Sequence, residues 1–325
     1  MQPVLSLPVH WSLLRVDALA RALEEAYELS QVRCQLIKAT INDTYQVWAS
    51  EGRFVLRISR AHERSADDII AELAAMTALV VDRVQVADII PLRTGEHLLS
   101  IQAPEGVRYA VLFTFVEGVQ LSRAPGAGDV RRYGRTVAAM HNIWDEKALT
   151  VTRPRLDTAR LIDAPLAALA SVLTHPQDVA NLQKAGERVR TTLRDLPETP
   201  PQFGLIHGDL IPSNTLLRSD GTIVLLDFDF CGWGWRMYDL ASYLLEIEYW
   251  GAAPTTAEAF LQGYEVLRKL DPLERDLLPA FVVIRTIFSL GIPALHVNEW
   301  GSAYLTERMV DTQLEIIQRN LLKMR

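Results

Sequence analysis

The sequence predicts an α+β fold in two lobes, an antiparallel β-rich N-terminal lobe carrying one helix and a mostly helical C-terminal lobe. Three observations predict it. The chain has 325 residues, long for a single core. Its first third alternates apolar and polar residues in strand fashion, with one helical interruption. Beyond Gly118 the period becomes helical, broken only by a short β segment over residues 203–229.

Taken in order, residues 13–29 show helical periodicity. Residues 35–49 and 53–58 alternate as strands, and Ser50-Glu51-Gly52 reads as the hairpin turn between them. Residues 67–80 form an amphipathic helix with Asp67 and Asp68 in its first turn. Residues 85–91, 98–102 and 108–116 complete a lobe of about five strands. The boundary falls near Glu117-Gly118, separating residues 1–116 from 117–325. In the second lobe, residues 129–141, 176–196, 257–269, 273–290 and 302–322 read as helices. Two unlike lobes create the expectation of a ligand cleft between them.

Composition narrows the function. Apolar residues make up 49% and charged residues 22%, a globular balance. The charge sum, 33 − 40 = −7, carries no overall basic footprint for nucleic acid or anionic lipid. Cys34 and Cys231 cannot build a disulfide framework or a four-cysteine metal site, which points to a reducing compartment. The opening MQPVLSLPVHW lacks a basic region followed by an apolar core and does not read as a leader. The apolar stretch 278–290 is interrupted by Arg285 and reads as too short to span a bilayer. The expectation is a cytoplasmic protein with no membrane or nucleic-acid partner.

The chemistry concentrates in residues 204–230, GLIHGDLIPSNTLLRSDGTIVLLDFDF. Gly204-Leu205-Ile206 is a short apolar strand ending on His207-Gly208-Asp209. Pro212 enforces a turn, and Asn214 follows it. Leu216-Leu217 starts a second strand, Ser219-Asp220-Gly221-Thr222 turns, and residues 223–226 return. The return brings Asp227 to the place where Asp209 and Asn214 sit. Two carboxylates and an amide at strand ends are hard oxygen donors of the kind Mg²⁺ accepts. Asp229 lies two residues after Asp227, so on a strand it shares that side, as a second metal contact or an acidic neighbour.

His207-Gly208-Asp209, Asn214 and Leu226-Asp227-Phe228-Asp229 resemble the catalytic and metal-binding loops of the aminoglycoside phosphotransferase and choline kinase superfamily. Gly232 to Ala241, with Asp239-Leu240-Ala241, resembles the element that follows them there. The string Phe230-Cys231-Gly232-Trp233-Gly234-Trp235 is most similar to the homoserine kinase-like and stress-response kinase-like branch. The resemblance implies a protein-kinase-like bilobal fold and roles residue by residue. Asp209 would orient the acceptor hydroxyl, Asn214 and Asp227 would hold Mg²⁺ on the nucleotide phosphates, His207 would brace the loop, and Asp239 would pin it through backbone N–H groups.

The same resemblance assigns the nucleotide side. Arg57 stands where kinases carry a strand lysine, and arginine can clamp phosphate with two donors. Glu72, on the next helix, is its partner, or the two are ordinary surface charges. No glycine-rich loop is present, and the stretch from Ala39 to Tyr45 takes its place. Asn42 there is a phosphate-side residue or part of a plain Asn-Asp hairpin turn. ATP, or GTP, would bond through its base to the backbone carbonyl of Phe115 and the N–H of Val116. His141 reads as a packed core histidine.

The acceptor is less defined. Ile211 replaces the lysine and Gly208 the arginine of the protein-kinase loop, and only nine residues, 230–238, separate Asp229 from Asp239. That leaves no room for a long activation segment, so the expected partner is a nucleotide plus a small-molecule hydroxyl acceptor. Glu246, Glu248, Tyr249 and Trp250 would bind an amine, or are an exposed acidic face with packed aromatics. Alternatives are a protein Ser/Thr kinase of the bacterial stress-response type and a non-catalytic nucleotide-binding regulator.

Overall fold

An antiparallel sheet dominates the first of two units into which the chain divides, Met1–Ala74 with Ala87–Glu117; the second comprises Ala75–Val86 and Gly118–Arg325. The structure is a computed structural model that describes residue 5 and residues 7–81, 84–121 and 125–324. Part of the opening run read for a leader, residues 1–4 and 6, lies outside the described residues.

In the first unit, helix α1 (Val16–Tyr27) buries Leu19, Leu23 and Tyr27. These meet Tyr45, Val47, Leu56 and Ile58 from one sheet face, the alternation that a half-buried strand requires. The strands are β1 (Arg33–Ala39), β2 (Asn42–Ala49) and β3 (Gly52–Ser59). Helix α2 (Ala66–Val81) follows, its second half belonging to the second unit, as does the two-residue strand β4 (Gln85–Val86). Strands β5 (Ile89–Ile90), β6 (Leu99–Ala103) and β7 (Gly106–Thr114) complete the sheet. Its order is β1-β2-β3-β7-β5, with β6 also on β7.

Two expectations need correction. Residues 35–49 are not one strand, because the chain turns at Thr40–Ile41 and β1 pairs back on β2. Asn42 and Asp43 are therefore not a hairpin turn. They open β2, paired in register with Ser59 and Ile58. Residues 85–91 also split, β4 pairing with a strand of the second unit and β5 with β7.

The second unit is helical around two small sheets. Strand β8 (Val119–Gln120) leads to α3 (Ala127–Glu146) and β9 (Arg155–Leu156). A π-helical turn at Ala159–Asp163 runs into α4 (Ala164–Val172), and α5 (Pro176–Leu193) follows. Strands β10 (Phe203–Ile206), β11 (Thr215–Leu217), β12 (Ile223–Leu225) and β13 (Gly232–Trp235) carry the candidate site. They form the sheets β10-β13-β9 and β4-β12-β11-β8. Helices α6 (Arg236–Trp250), α7 (Pro254–Glu265), α8 (Pro272–Leu295), α9 (Val297–Trp300) and α10 (Glu307–Lys323) close the unit.

Helix α8 is its centre. Asp271 accepts the Glu274 N–H at 2.8 Å, and the Glu274 carboxylate accepts the Asp271 N–H at 3.0 Å, a reciprocal cap that starts the helix. At 24 residues it is longer than the 278–290 stretch suggests, and its length and hydropathy alone would suffice to cross a membrane. Yet 83% of its most apolar window is buried inside the protein, as a core helix requires. Helices α3 and α7 cross at two glycines. A Cβ on Gly134 would lie 2.0 Å from the Phe260 carbonyl oxygen, and one on Gly263 would lie 2.1 Å from that of Arg131.

Candidate active site

The turn after β10 is built by a glycine and an aspartate. Gly208 has φ +79°, and a Cβ there would stand 2.4 Å from the Phe230 carbonyl oxygen. Only glycine fits, which is the physical reason no arginine occupies this position. Asp239, fully buried in the first turn of α6, accepts three donors. Its Oδ1 takes the Gly208 N–H at 2.8 Å. Its Oδ2 takes the His207 N–H at 2.8 Å and His141 Nε2–H at 3.0 Å. A carboxylate only accepts, so the His141 proton sits on Nε2, and Nδ1 accepts the Tyr264 hydroxyl at 2.9 Å. His141 is a core histidine that holds this clamp. Burial, then Arg236 and Arg268, push it well below its usual value. Burial pushes the Asp239 carboxyl up, outweighing His207, the two backbone donors and Arg236.

His207 links two strands. Its Nδ1 accepts the Asp209 N–H at 3.3 Å, and Nε2 donates to the Leu226 carbonyl at 3.0 Å. The ring packs on Phe228, centroids 4.4 Å apart. Leu226 N–H in turn donates to the Asn214 carbonyl at 2.9 Å. Asn214 Nδ2 donates to Asp209 Oδ2 at 2.7 Å and to the Asp209 carbonyl at 3.0 Å. Asp209, Asn214 and the residue preceding Asp227 are thus one bonded network.

Asp227 caps a short 3₁₀ turn, Phe228–Phe230, with φ 61° and ψ 70°. That left-handed conformation is costly for most residues and best tolerated by Asn and Asp. Its side chain is exposed. The strand expected to carry Asp229 is absent. The chain is helical here rather than extended, and Asp229 is 2% exposed. Its carbonyl accepts from Arg153 Nη2 at 2.6 Å. With its amide nitrogen committed to Asp209, Asn214 turns its oxygen the other way. Carboxylate and amide oxygens are donors of the kind that a hard cation such as Mg²⁺ accepts.

Sequence reasoning missed Arg285. From the middle of α8, its Nη2 donates to Asp209 Oδ1 at 2.5 Å and its Nη1 to the Tyr238 hydroxyl at 3.3 Å. Burial works to lower this guanidinium, but Tyr238 and Asp209 outweigh it and raise it. An arginine inside an apolar helical run was the available signal.

In the first unit, Arg57 and Glu72 are not surface charges. Arg57 is 7% and Glu72 0% exposed. They meet through two bonds, Nη1–Oε1 at 2.7 Å and Nη2–Oε2 at 2.8 Å, a fork geometry that fixes the guanidinium plane. Asn42 is 8% exposed, and its buried Oδ1 has no hydrogen-bond partner. Phe115 and Val116 follow the end of β7, where the Phe115 N–H closes on the Arg53 carbonyl at 3.1 Å.

The acidic cluster on α6 does not converge. Glu246 and Glu248 are two positions apart, about 200° around a helix. Glu248 is braced by Asn320 Nδ2 at 2.9 Å and Lys323 Nζ at 2.8 Å, and Tyr249 is 47% exposed.

The comparisons with known proteins agree on one family. The sequence profile of the phosphotransferase enzyme family (APH) matches residues 33–275. An uncharacterized protein of Deinococcus radiodurans is 32% identical over 305 residues, covering 92% of this chain and 88% of that one. The amicoumacin kinase of Bacillus subtilis is 22% identical over 307 residues, covering 88% of each. Homoserine kinases are also among the matching relatives. Among solved structures, a microcompartment-associated aminopropanol kinase superposes with a TM-score of 0.74 at 25% identity, covering 94% of this chain and 95% of that one. The chain belongs to the phosphotransferase enzyme family, and is a phosphotransferase of kinase-like α+β fold.

Proposed function

We propose that the protein is a Mg²⁺-dependent small-molecule O-kinase. It moves the γ-phosphoryl group of ATP or GTP to a hydroxyl of an aminoglycoside, an amino alcohol or a similar metabolite or antibiotic. The observation that supports this reading is the bonded network of Asp209, Asn214 and Leu226, the residue before Asp227. Relatives named for amicoumacin, homoserine and aminopropanol support a small-molecule acceptor.

In this reading residues 1–116 serve the nucleotide, and residues 117–325 carry the catalytic loop, the metal ligands and the acceptor pocket. Asp209 receives the proton of the acceptor hydroxyl and orients its oxygen for in-line attack. Asn214 and Asp227 would hold Mg²⁺, which offsets charge on the phosphates when bound. Arg57, its plane set by Glu72, clamps phosphate, and Asn42 lies on the same side of the nucleotide. The Phe115 carbonyl and Val116 N–H take the base. His207 and Asp239 hold the loop without touching substrate. The two cysteines, both buried thiols, support a cytoplasmic location.

The protein-kinase reading is disfavoured by the segment that would carry activation control, since residues 232–235 are strand β13, paired between β10 and β9. The test is a screen of MgATP and MgGTP against aminoglycosides, amino alcohols, vitamins and nucleosides, with a protein extract alongside, scored by phosphate transfer. Transfer to one small-molecule class, and its loss in Asp209→Asn with nucleotide still bound, is expected. Wild-type turnover in Asp209→Asn would contradict the role of Asp209, and transfer confined to the extract would contradict the acceptor class.

A further inference from the structure

Asp209 is not held by its own loop alone. Oδ2 accepts from Asn214, five residues away, whereas Oδ1 accepts from Arg285, 76 residues away on α8. Arg285 is 6% exposed, in a helix otherwise lined by Phe281, Ile284, Ile287, Phe288 and Leu290 at this level. Its guanidinium lies 5.9 Å from the ring centroids of both Tyr238 and Phe288. Tyr238, which accepts the second bond, precedes Asp239, the residue that clamps the loop backbone. One side chain therefore ties α8 and α6 to the catalytic-loop carboxylate.

Stability alone does not explain it. Taking a guanidinium out of water costs several kcal/mol, and a well-packed apolar residue often serves such a core position as well or better. The charge is spent on Asp209. Each carboxylate oxygen has two lone-pair directions, and one on each is taken, by Arg285 and by Asn214. The carboxylate can no longer rotate, and the directions left to a hydroxyl are fixed.

We propose that Arg285 is a positioning residue for the phosphoryl transfer, holding Asp209 Oδ1 so that the acceptor hydroxyl is bound from one direction. This rests on the reading above that Asp209 receives that hydroxyl. Arg285 acts through Asp209.

The experiment is a double-variant cycle of Arg285→Met and Arg285→Lys in the wild-type and Asp209→Asn backgrounds. The acceptor is the compound of the screen turned over fastest, read as ADP release from MgATP. Arg285→Met should lower kcat roughly 100-fold, the scale of a mispositioned reacting group, with nucleotide affinity held within about threefold. Arg285→Lys should recover part of that loss. Millimolar guanidinium ion should partly rescue Arg285→Ala, which a merely structural defect would not allow. In the Asp209→Asn background, Arg285→Met should change the residual turnover no further. Wild-type or raised kcat in Arg285→Met overturns the proposal, as does an equal loss in both backgrounds. If Arg285→Met does not fold, the cycle is run with Arg285→Lys under the same criteria. Full activity of Asp209→Asn by itself would instead sink the assignment of Asp209.

Discussion

Asp239→Asn is the most exacting test of how the catalytic loop is held. The substitution keeps the volume and replaces one acceptor oxygen by an NH₂. Oδ1 serves one donor, Gly208 N–H, while Oδ2 serves two, His207 N–H and His141 Nε2–H. The amide will therefore keep its oxygen at the Oδ2 position and turn its NH₂ toward Gly208. One charge-assisted bond of ~1.5–3 kcal/mol is lost, and a buried N–H facing another donor costs ~1–3 kcal/mol more. The variant is relieved of burying a charge, which returns part of this, because burial holds the Asp239 carboxyl above its ordinary value. The expected net loss is about 2–4 kcal/mol, a large share of a typical margin of 5–15 kcal/mol. Urea unfolding followed by tryptophan fluorescence reads it. Because Gly208 directly precedes Asp209, kcat should fall about 100-fold alongside. A stability change below about 1 kcal/mol with kcat unaltered would refute the reasoning, since orphaning a buried donor cannot be that cheap.

Other outcomes follow from the same geometry. Asp227→Ala should abolish Mg²⁺-dependent nucleotide binding in calorimetry, and EDTA should do the same to the wild type; unchanged affinity in either would remove Asp227 from the metal site. Glu72→Gln removes the negative charge from the buried Arg57–Glu72 pair, so stability should fall by up to about 3–5 kcal/mol, with weakened nucleotide binding; an unaltered melting curve would contradict the pair's role. His141 is depressed, so above its ordinary pKa near ~6.5 it is neutral both folded and unfolded and adds no slope. Below that value the unfolded chain takes a proton the folded chain refuses, and unfolding free energy falls by ~1.4 kcal/mol per pH unit. His141→Asn should lose that increment of slope between pH 6.5 and the depressed value. The raised Asp239 carboxyl contributes with the opposite sign, and identical slopes would speak against a neutral buried His141.

The loop after β10 was legible because its geometry is local. A glycine at positive φ, a proline turn and a short hairpin each have a sequence signature, and together they bring Asn214 onto Asp209. The turn at Thr40–Ile41 had none. Two β-branched residues continue a strand pattern there, while Asn42-Asp43, the turn-like pair, opens β2 instead. Strand β13 reads Gly-Trp-Gly-Trp, in which glycine erases the apolar alternation, so only its pairing with β10 reveals it. Arg285 was invisible for a different reason. Its meaning depends on where α8 lies in the folded unit, and along the chain it registers only as a flaw in an apolar run. The strand argument for Asp229 does not hold, because the chain there is a 3₁₀ turn.

Strand β13 occupies the centre of its sheet, with antiparallel β10 on one edge and parallel β9 on the other. A loop that gates access to a site must be able to leave, and a central strand leaves only by breaking two ladders at once. The residues that link the turn at residues 228–230 to α6 are therefore a girder rather than a hinge. Control by ordering and releasing that segment, as a long loop would allow, is closed to a chain built this way.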